Sequence, residues 1–336
     1  MDYIVLDLEW NQNPYGKKGS KPGLPFEIIE IGAVRLNHKL EIEDSYQQVI
    51  KPRVYKKLHY KIKEITHLTN EELKKGMDFR KAIREFLKWC GDEYTFVTWG
   101  SMDLTELQKN MKYYKLERIL DFPLYYVDLQ KIYSLAYSDG HEKSTLSNAV
   151  EELKIKEDET FHRALSDAYY TAKIMQKGKF GRFKKRLSID TFYSPRIREE
   201  EIFVKFDEYT KLVTREFLTK EEMFKDKNVE GMRCNQCGKT LERIIDWFSD
   251  SGKTYFCVGK CPDHGYVRGK IKIKKREADS FFAIKIMKTT DEAGVERIRE
   301  KQESIREKRR EKRQRSNERE VIDAYYDAED NSDDDD

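Results

Sequence analysis

The run Tyr3-Ile4-Val5-Leu6-Asp7-Leu8-Glu9-Trp10 constrains this chain more than any other stretch. An apolar segment that passes into alternating acidic and apolar residues reads as a strand heading into a core. Residues two apart on a strand share a face, so Asp7 and Glu9 point the same way. Two carboxylates side by side at the end of a buried strand repel each other and lose hydration. A divalent cation held between them removes both penalties. The plain alternative is a strand that ends in a solvated acidic turn.

Composition sets the outer bounds. A chain of 336 residues has room for about two domains. It is 38% charged and 38% hydrophobic, so part of it is expected to lie outside any packed core. It contains no run of eighteen apolar residues and opens directly on a strand-like segment. Neither a signal peptide nor a membrane span is therefore expected. Four of the five cysteines, Cys234, Cys237, Cys257 and Cys261, crowd together, with Cys90 apart. That pattern suits a metal site in a reducing, cytoplasmic setting better than a disulfide framework. The formal net charge of +3 hides a polarity, because Asp323–Asp336 holds eight acidic and no basic residues. The remainder is basic and rich in tyrosine and phenylalanine, which suits a phosphate-bearing partner.

Three strand-like segments, Tyr3–Trp10, Phe26–Leu36 and Ser45–Ile50, open the chain. Asn70–Trp89 reads as a helix, followed by a strand at Tyr94–Trp99 and a helix over Asp103–Tyr114. A strand at Tyr125–Val127 leads through Asp128 to a further helix, and Thr145–Leu153 has helical spacing. Ala164, Ala168 and Ala172, four apart, mark a close-packed last helix. Strands first and strand–helix alternation afterwards predict an α/β layer fold ending near residue 180. The expected organisation continues with a helical connector or elaboration over 181–230 and a small module over 231–276. A charged tail over 277–336 completes it, disordered at least from Asp323 onward.

Further acidic residues join the opening pair. Asp103 follows the strand Tyr94–Trp99 where a helix begins, a position that also suits an N-cap. Asp167 lies five residues after His162, about 140° around a continuous helix. The two reach one cleft if His162 sits in the loop before the helix. The ordered set Asp7-Leu8-Glu9, Glu27-Ile28-Ile29-Glu30-Ile31-Gly32, Asp103, and His162-Arg163-Ala164-Leu165-Ser166-Asp167 resembles the DEDDh family of 3′→5′ exonucleases. The finer texture is similar to its KapD-like and eri-type branch, and the resemblance covers roughly residues 1–180. It implies a ribonuclease-H-like mixed sheet flanked by helices. It also implies two Mg²⁺ or Mn²⁺ ions, bridged by Asp7 and completed by Glu9, Asp103 and Asp167, with His162 as general base. Leu8 and Trp10 would then lie beside the terminal nucleotide. Trp10 stands where family members often carry a small hydroxyl residue, and it either stacks on the terminal base or fills the core.

The second module has its own signature. Cys234-Asn-Gln-Cys237-Gly238 and Cys261-Pro-Asp-His264-Gly265 share one form, two ligand types flanking two residues and then glycine. Paired turns of this kind resemble a zinc ribbon holding one structural Zn²⁺. Cys257 is a fifth candidate, so Cys234, Cys237, Cys257 and Cys261 form an alternative set. The alternation Lys270-Ile271-Lys272-Ile273-Lys274 predicts a strand with a basic outer face. The expected function is a 3′→5′ exonuclease on single-stranded RNA or DNA 3′ ends, RNA favoured, that releases nucleoside 5′-monophosphates. The rivals are a DNA exonuclease of proofreading or repair type, and a regulatory adaptor whose ribbon and tail contact a protein partner.

Overall fold

The computed structural model describes residues 1–330 except 118, 139–141, 158–160, 182–185 and 277–278, without the side chains of 17–18 and 317–330. The described residues fall into two compact units, Met1–Phe192 and Tyr193 onward.

In the first unit, β1 (Asp2–Gln12), β2 (Phe26–Leu36) and β3 (Ile42–Val49) form an antiparallel meander. Three helices follow: α1 (Tyr60–Thr66), α2 (Asn70–Lys75) and α3 (Phe79–Cys90). Then β4 (Tyr94–Thr98) joins β1 in parallel, α4 (Met102–Tyr113) follows, and β5 (Tyr125–Asp128) joins β4 in parallel. Helices α5 (Leu129–Tyr137), α6 (Leu146–Glu152) and α7 (Ala164–Lys177) lead to a short antiparallel edge strand, β6 (Ser188–Ile189). The sheet order is β3-β2-β1-β4-β5-β6, a mixed sheet flanked by helices, as expected.

The period-two alternation of β1 sorts its residues onto the two faces. Ile4, Leu6 and Leu8 pack with Phe79, Ile83 and Phe86 of α3 and Leu104, Leu107 and Met111 of α4. Val5 packs on the other face with Ala168, Ala172 and Ile174 of α7 and Val150 of α6. Asp7 and Glu9 continue that second row, toward α7.

The helix predicted over 70–89 is two helices. Met77 interrupts it by exchanging backbone hydrogen bonds of 2.9 Å with Val49 and Lys51, and a Cβ on Gly76 would lie 2.7 Å from the Ile50–Lys51 backbone. Asp78 then caps α3 by accepting from the Arg80 amide. A local sheet contact overrides helical periodicity there.

The second unit is one six-stranded antiparallel sheet. Its strands are β7 (Ile202–Lys205), β8 (Tyr209–Val213), β9 (Glu242–Ser249), β10 (Thr254–Cys261), β11 (Gly265–Lys275) and β12 (Phe281–Thr289), in the order β7-β8-β12-β11-β10-β9. The short helices α8 (Lys220–Lys225) and α9 (Lys227–Glu230) lie between β8 and β9, and α10 (Glu292–Asp330) follows β12. The sheet thus runs across the boundaries expected at 230 and 276. The segment expected as a helical connector supplies β7 and β8, and the segment expected as tail supplies β12. The only charged residues of β12 are Lys285 and Lys288, and buried Lys285 belongs to the core, its ammonium donating to the carbonyls of Asn228 and Gly231. The backbone is helical over 292–330, so the disorder expected from Asp323 onward is not found as far as Asp330, and its remainder, 331–336, falls outside the described residues.

Gly32 decides how closely α7 approaches the first sheet. A Cβ there would lie 2.0–2.4 Å from backbone atoms of Ala164 and Leu165 at the start of α7. Rigid backbone is the obstacle, so relief requires moving the helix. Gly32→Ala should lower stability by about 1–3 kcal/mol, the usual range for overpacking, read as a lower urea midpoint at unchanged slope. A midpoint equal to wild type would show that α7 is not held at this distance.

Candidate carboxylate and thiolate metal centres

Three elements converge at the end of β1. Asp7 lies opposite Gly32 and Glu9 opposite Glu30 in the β1–β2 register. Because Gly32 admits the start of α7, Asp167, in the first turn of that helix, reaches the same place. Single ligand atoms of Asp7, Glu9 and Asp167 lie within 4.8 Å of one another. Asp103, in the first turn of α4 after the neighbouring parallel strand β4, accepts a hydrogen bond of 3.2 Å from the Leu8 amide. Its carboxylate is thereby tied to the β1 backbone at the residue between Asp7 and Glu9 in the chain. The location, beyond the carboxyl ends of parallel strands, is where open α/β sheets leave a crevice.

His162 precedes α7, in the loop and not on the helix, with φ of 67°. Its backbone amide donates to Asp167 Oδ1 at 3.2 Å, and the residue is exposed. The helical phase that would have separated His162 from Asp167 therefore does not apply. Leu8 sits differently from expectation, whereas Trp10 takes the core-packed one of its two expected places. The Leu8 side chain is 3% exposed in the core against α3 and α4, so only its backbone faces the site. Trp10, after a bulge at Glu9/Trp10, is half-buried against the same core with its ring 6.0 Å from that of Phe26.

Glu30 and Arg163 are the contributors that sequence reasoning left without a role. Glu30 is fully buried opposite Glu9 and accepts from Arg163 Nη2 at 2.5 Å and Nε at 3.1 Å, from the Ala164 amide at 3.2 Å and from Gln47 at 2.9 Å. A buried bidentate ion pair, completed by further donors, clamps the start of α7 to β2. Glu27 does the same for the loop after β3. It accepts from the amides of Arg53, Val54 and Tyr55 and from the Tyr114 hydroxyl. The available signal was two glutamates inside the apolar strand Phe26–Leu36.

The electrostatics follow from this crowding. Burial, and then the charge of Asp103, Asp167, Glu9 and Glu30, holds the Asp7 carboxyl well above the usual range. Burial and the charges of Asp167, Glu30 and Asp103 push Glu9 up to about 9. Burial raises Asp103 as well, and Asp167 to about 6. These groups resist ionisation together, and a bound divalent cation is what their donor chemistry lacks.

In the second unit, Cys234, Cys237, Cys261 and His264 bring one ligand atom each into a single cluster. The Cys234 Sγ–His264 Nδ1, Cys237 Sγ–Cys261 Sγ and Cys261 Sγ–His264 Nδ1 separations are 3.7, 3.6 and 3.6 Å. A tetrahedron built on Zn–S of about 2.3 Å and Zn–N of about 2.0 Å has edges of roughly 3.5–3.8 Å, so the donors fit such an ion. Gly238 and Gly265 close the two turns at φ of 75° and 70°, a conformation that favours glycine. Cys257 stands apart. It is fully buried on β10 against Gly269, and burial pushes its thiol up to about 12.

The family model of the RNase T exonucleases matches residues 4–175. The 3′-5′ exoribonuclease 1 of Homo sapiens is 26% identical over 182 residues, which cover 52% of this chain and 51% of that protein. The probable 3′-5′ exonuclease KapD of Bacillus subtilis is 27% identical over 177 residues, 52% of this chain and 82% of that protein. The chain thus spans about half the length of the human relative. Among solved structures, the nuclease domain of 3′hExo, a DEDDh family member bound to rAMP, aligns with a TM-score of 0.46 at 23% identity. That alignment covers 56% of this chain and 96% of the other.

A protonated Glu9 in the metal-free folded state has a consequence for stability. Its folded value near 9 exceeds the ordinary 4.5, so the folded protein holds a proton that the unfolded chain releases. Stability is therefore unpenalised below about pH 4.5 and declines as pH rises toward about 9. With chelator present, the melting temperature should fall across that window, and Glu9→Gln should flatten the fall. Parallel curves for the two proteins would assign the decline to other groups.

Proposed function

The chain belongs to the RNase T exonuclease family, and on that premise we propose that its first unit is a metal-dependent 3′→5′ exonuclease. It hydrolyses single-stranded nucleic acid, RNA in preference to DNA, to nucleoside 5′-monophosphates. The observation that carries this reading is the gathering of Asp7, Glu9 and Asp167, with Asp103 beside them, from three separate elements. The names of the two relatives support the direction of attack, and that of the human protein supports RNA. The reducing setting expected from the cysteines supports a cytoplasmic location, and no described helix is long and apolar enough to cross a membrane.

Asp7, Glu9, Asp103 and Asp167 would hold two Mg²⁺ or Mn²⁺ ions. Such a pair, when bound, neutralises charge on the phosphodiester oxygens of an in-line displacement. His162 takes the proton from the attacking water, a role supported by its exposed position in the loop beside Asp167. Glu30 and Arg163 position rather than react, by fixing the helix start that carries both His162 and Asp167. Trp10 borders the terminal nucleotide with whatever part of its ring the core leaves open. Cys234, Cys237, Cys261 and His264 would hold one structural Zn²⁺ that ties the turn before β9 to the turn between β10 and β11.

End-labelled RNA and DNA oligomers, incubated with Mn²⁺, Mg²⁺ or chelator, test the activity directly. The expected product ladder shortens from the 3′ end only when metal is present. Asp7→Ala should abolish it, since the cluster then loses a carboxylate that would hold metal, while the far-ultraviolet spectrum stays native. Full activity in that variant would refute the site. Faster loss of the DNA oligomer would move the reading to a DNA exonuclease.

His162→Ala should lower turnover by about 10²–10⁴ with metal affinity little changed. His162→Asn should do no better, because an amide cannot take the proton. Collapse of metal affinity would make His162 a ligand instead. For the thiolate centre, one zinc per chain is expected by elemental analysis, retained by Cys257→Ser and lost from Cys261→Ser. Zinc loss in Cys257→Ser at unchanged fold would return the alternative ligand set.

A further inference from the structure

We propose that one face of the second unit's sheet is a binding track for the sugar-phosphate backbone of single-stranded nucleic acid, separate from the thiolate turns. This deepens the exonuclease reading, since the strand it holds would be substrate. The strand β11 alternates strictly. Val267, Gly269, Ile271 and Ile273 are buried on one side, whereas Arg268, Lys270 and Lys272 are exposed on the other. Antiparallel register sets Lys270 beside Phe256 of β10 and Ile286 of β12, and sets Arg268 beside Lys288.

The cations of this face outnumber its acids. Lys260 of β10 projects on the same side with its ammonium 5.5 Å from the Tyr266 ring. Lys301 of α10 lies 4.9 Å from the Phe256 ring, and Lys270 5.7 Å from it. The strands β10, β11 and β12 contribute no carboxylate to this side. Among the described residues, two acids meet it from neighbouring turns, Asp250 at 3.1 Å from Lys301 and Glu208 at 3.2 Å from Lys288. Each engages one cation at the margin, and of the two only Asp250 also acts on Lys270, against the combined charges of Arg268, Lys272 and Lys301. Neighbouring charges of Lys272, Arg268 and Lys301 add to burial in lowering the proton affinity of Lys270.

Folding alone does not explain cations crowded together on an exposed face. A solvated strand needs only polar residues at its outward positions, and alternating sign would relieve the repulsion. A polyanion relieves it as well, by replacing condensed counterions along its backbone. Val295 and Ile298 of α10 cover Ile245 and Val258 at the β9–β10 side of this face, so the cations lie on the part of the sheet left uncovered. The rings of Phe256 and Tyr266 are already capped by ammonium groups. The face therefore reads phosphate and not base identity, and a strand of any sequence fits it.

The test uses the full chain carrying Asp7→Asn, with chelator, so that binding is measured without hydrolysis. Affinity for a fluorescent single-stranded 30-mer RNA, and for a DNA of the same sequence, is followed against salt. The triple variant Arg268→Gln/Lys270→Gln/Lys272→Gln should reduce the slope of log K against log salt by about 2, at about 0.7 for each phosphate no longer neutralised. At 0.1 M salt this corresponds to affinity weaker by a factor on the order of 10². Arg268→Lys/Lys270→Arg/Lys272→Arg, which keeps the charge, should retain the wild-type slope. Unchanged slope and affinity in the triple variant would overturn the proposal, as would an equal weakening in the charge-preserving variant. If the protein binds with the expected slope and hydrolyses nothing, the track stands and the exonuclease reading fails.

Discussion

The clamp between Glu30 and Arg163 is the interaction on which the first unit's site depends. Glu30 is buried opposite Glu9, and a second carboxylate there would only add repulsion if it stood alone. Paired bidentately with Arg163, and accepting from the Ala164 amide, it becomes the anchor for the first turn of α7. The anchor works only because Gly32, one step along the same face, lets helix backbone touch strand backbone. Removing one partner of such a pair leaves a buried charge and costs more than the pair itself contributes. The geometry of Asp167 and His162 is thus set by two residues that need never touch a substrate.

The two candidate metal centres embody opposite electrostatic designs. The carboxylate group is assembled against its own repulsion, with Asp7, Glu9, Asp103 and Asp167 all shifted toward the protonated form. Its shape is enforced by β1, β2, α4 and α7, whose packing outweighs the repulsion. The thiolate group is small, its donors already stand at tetrahedral separations, and the turns that carry them are locally closed by Gly238 and Gly265. Cations at the first centre would relieve a strain that the fold has stored. An ion at the second would bind together two turns that the sequence holds 24 residues apart, from Cys237 to Cys261.

Much of this was legible in the sequence where periodicity and chemistry coincide. The two-residue spacing of Asp7 and Glu9 set their common face, and the cysteine and histidine turns announced themselves by spacing. Leu8 was assigned to the substrate side by resemblance, although the same alternation that aligns Asp7 with Glu9 sends Leu8 into the core. Cys257 looked equivalent to its neighbours until its place in β10 turned it away from them. The roles of Glu30 and Arg163 depend on a pairing across 133 residues of chain, which no local pattern encodes. The second sheet was missed for the same reason. The strands β7 and β8 are short, and the membership of β7, β8 and β12 in the sheet is decided by pairing across the sequence.

Charge patterning carries information that hydropathy discards. Lys285 and Lys270 both stand in strands beside β-branched apolar residues. In the folded chain Lys285 is buried with its ammonium satisfied by two carbonyls, so it serves the core. Lys270 lies on the exposed side of β11 beside Arg268 and Lys272, where folding gains nothing from its charge. The difference is one of register, since a shift of one residue along a strand exchanges the two faces. A lysine inside an apolar strand is therefore a structural residue when carbonyls meet it and a candidate ligand-binding residue when other cations do.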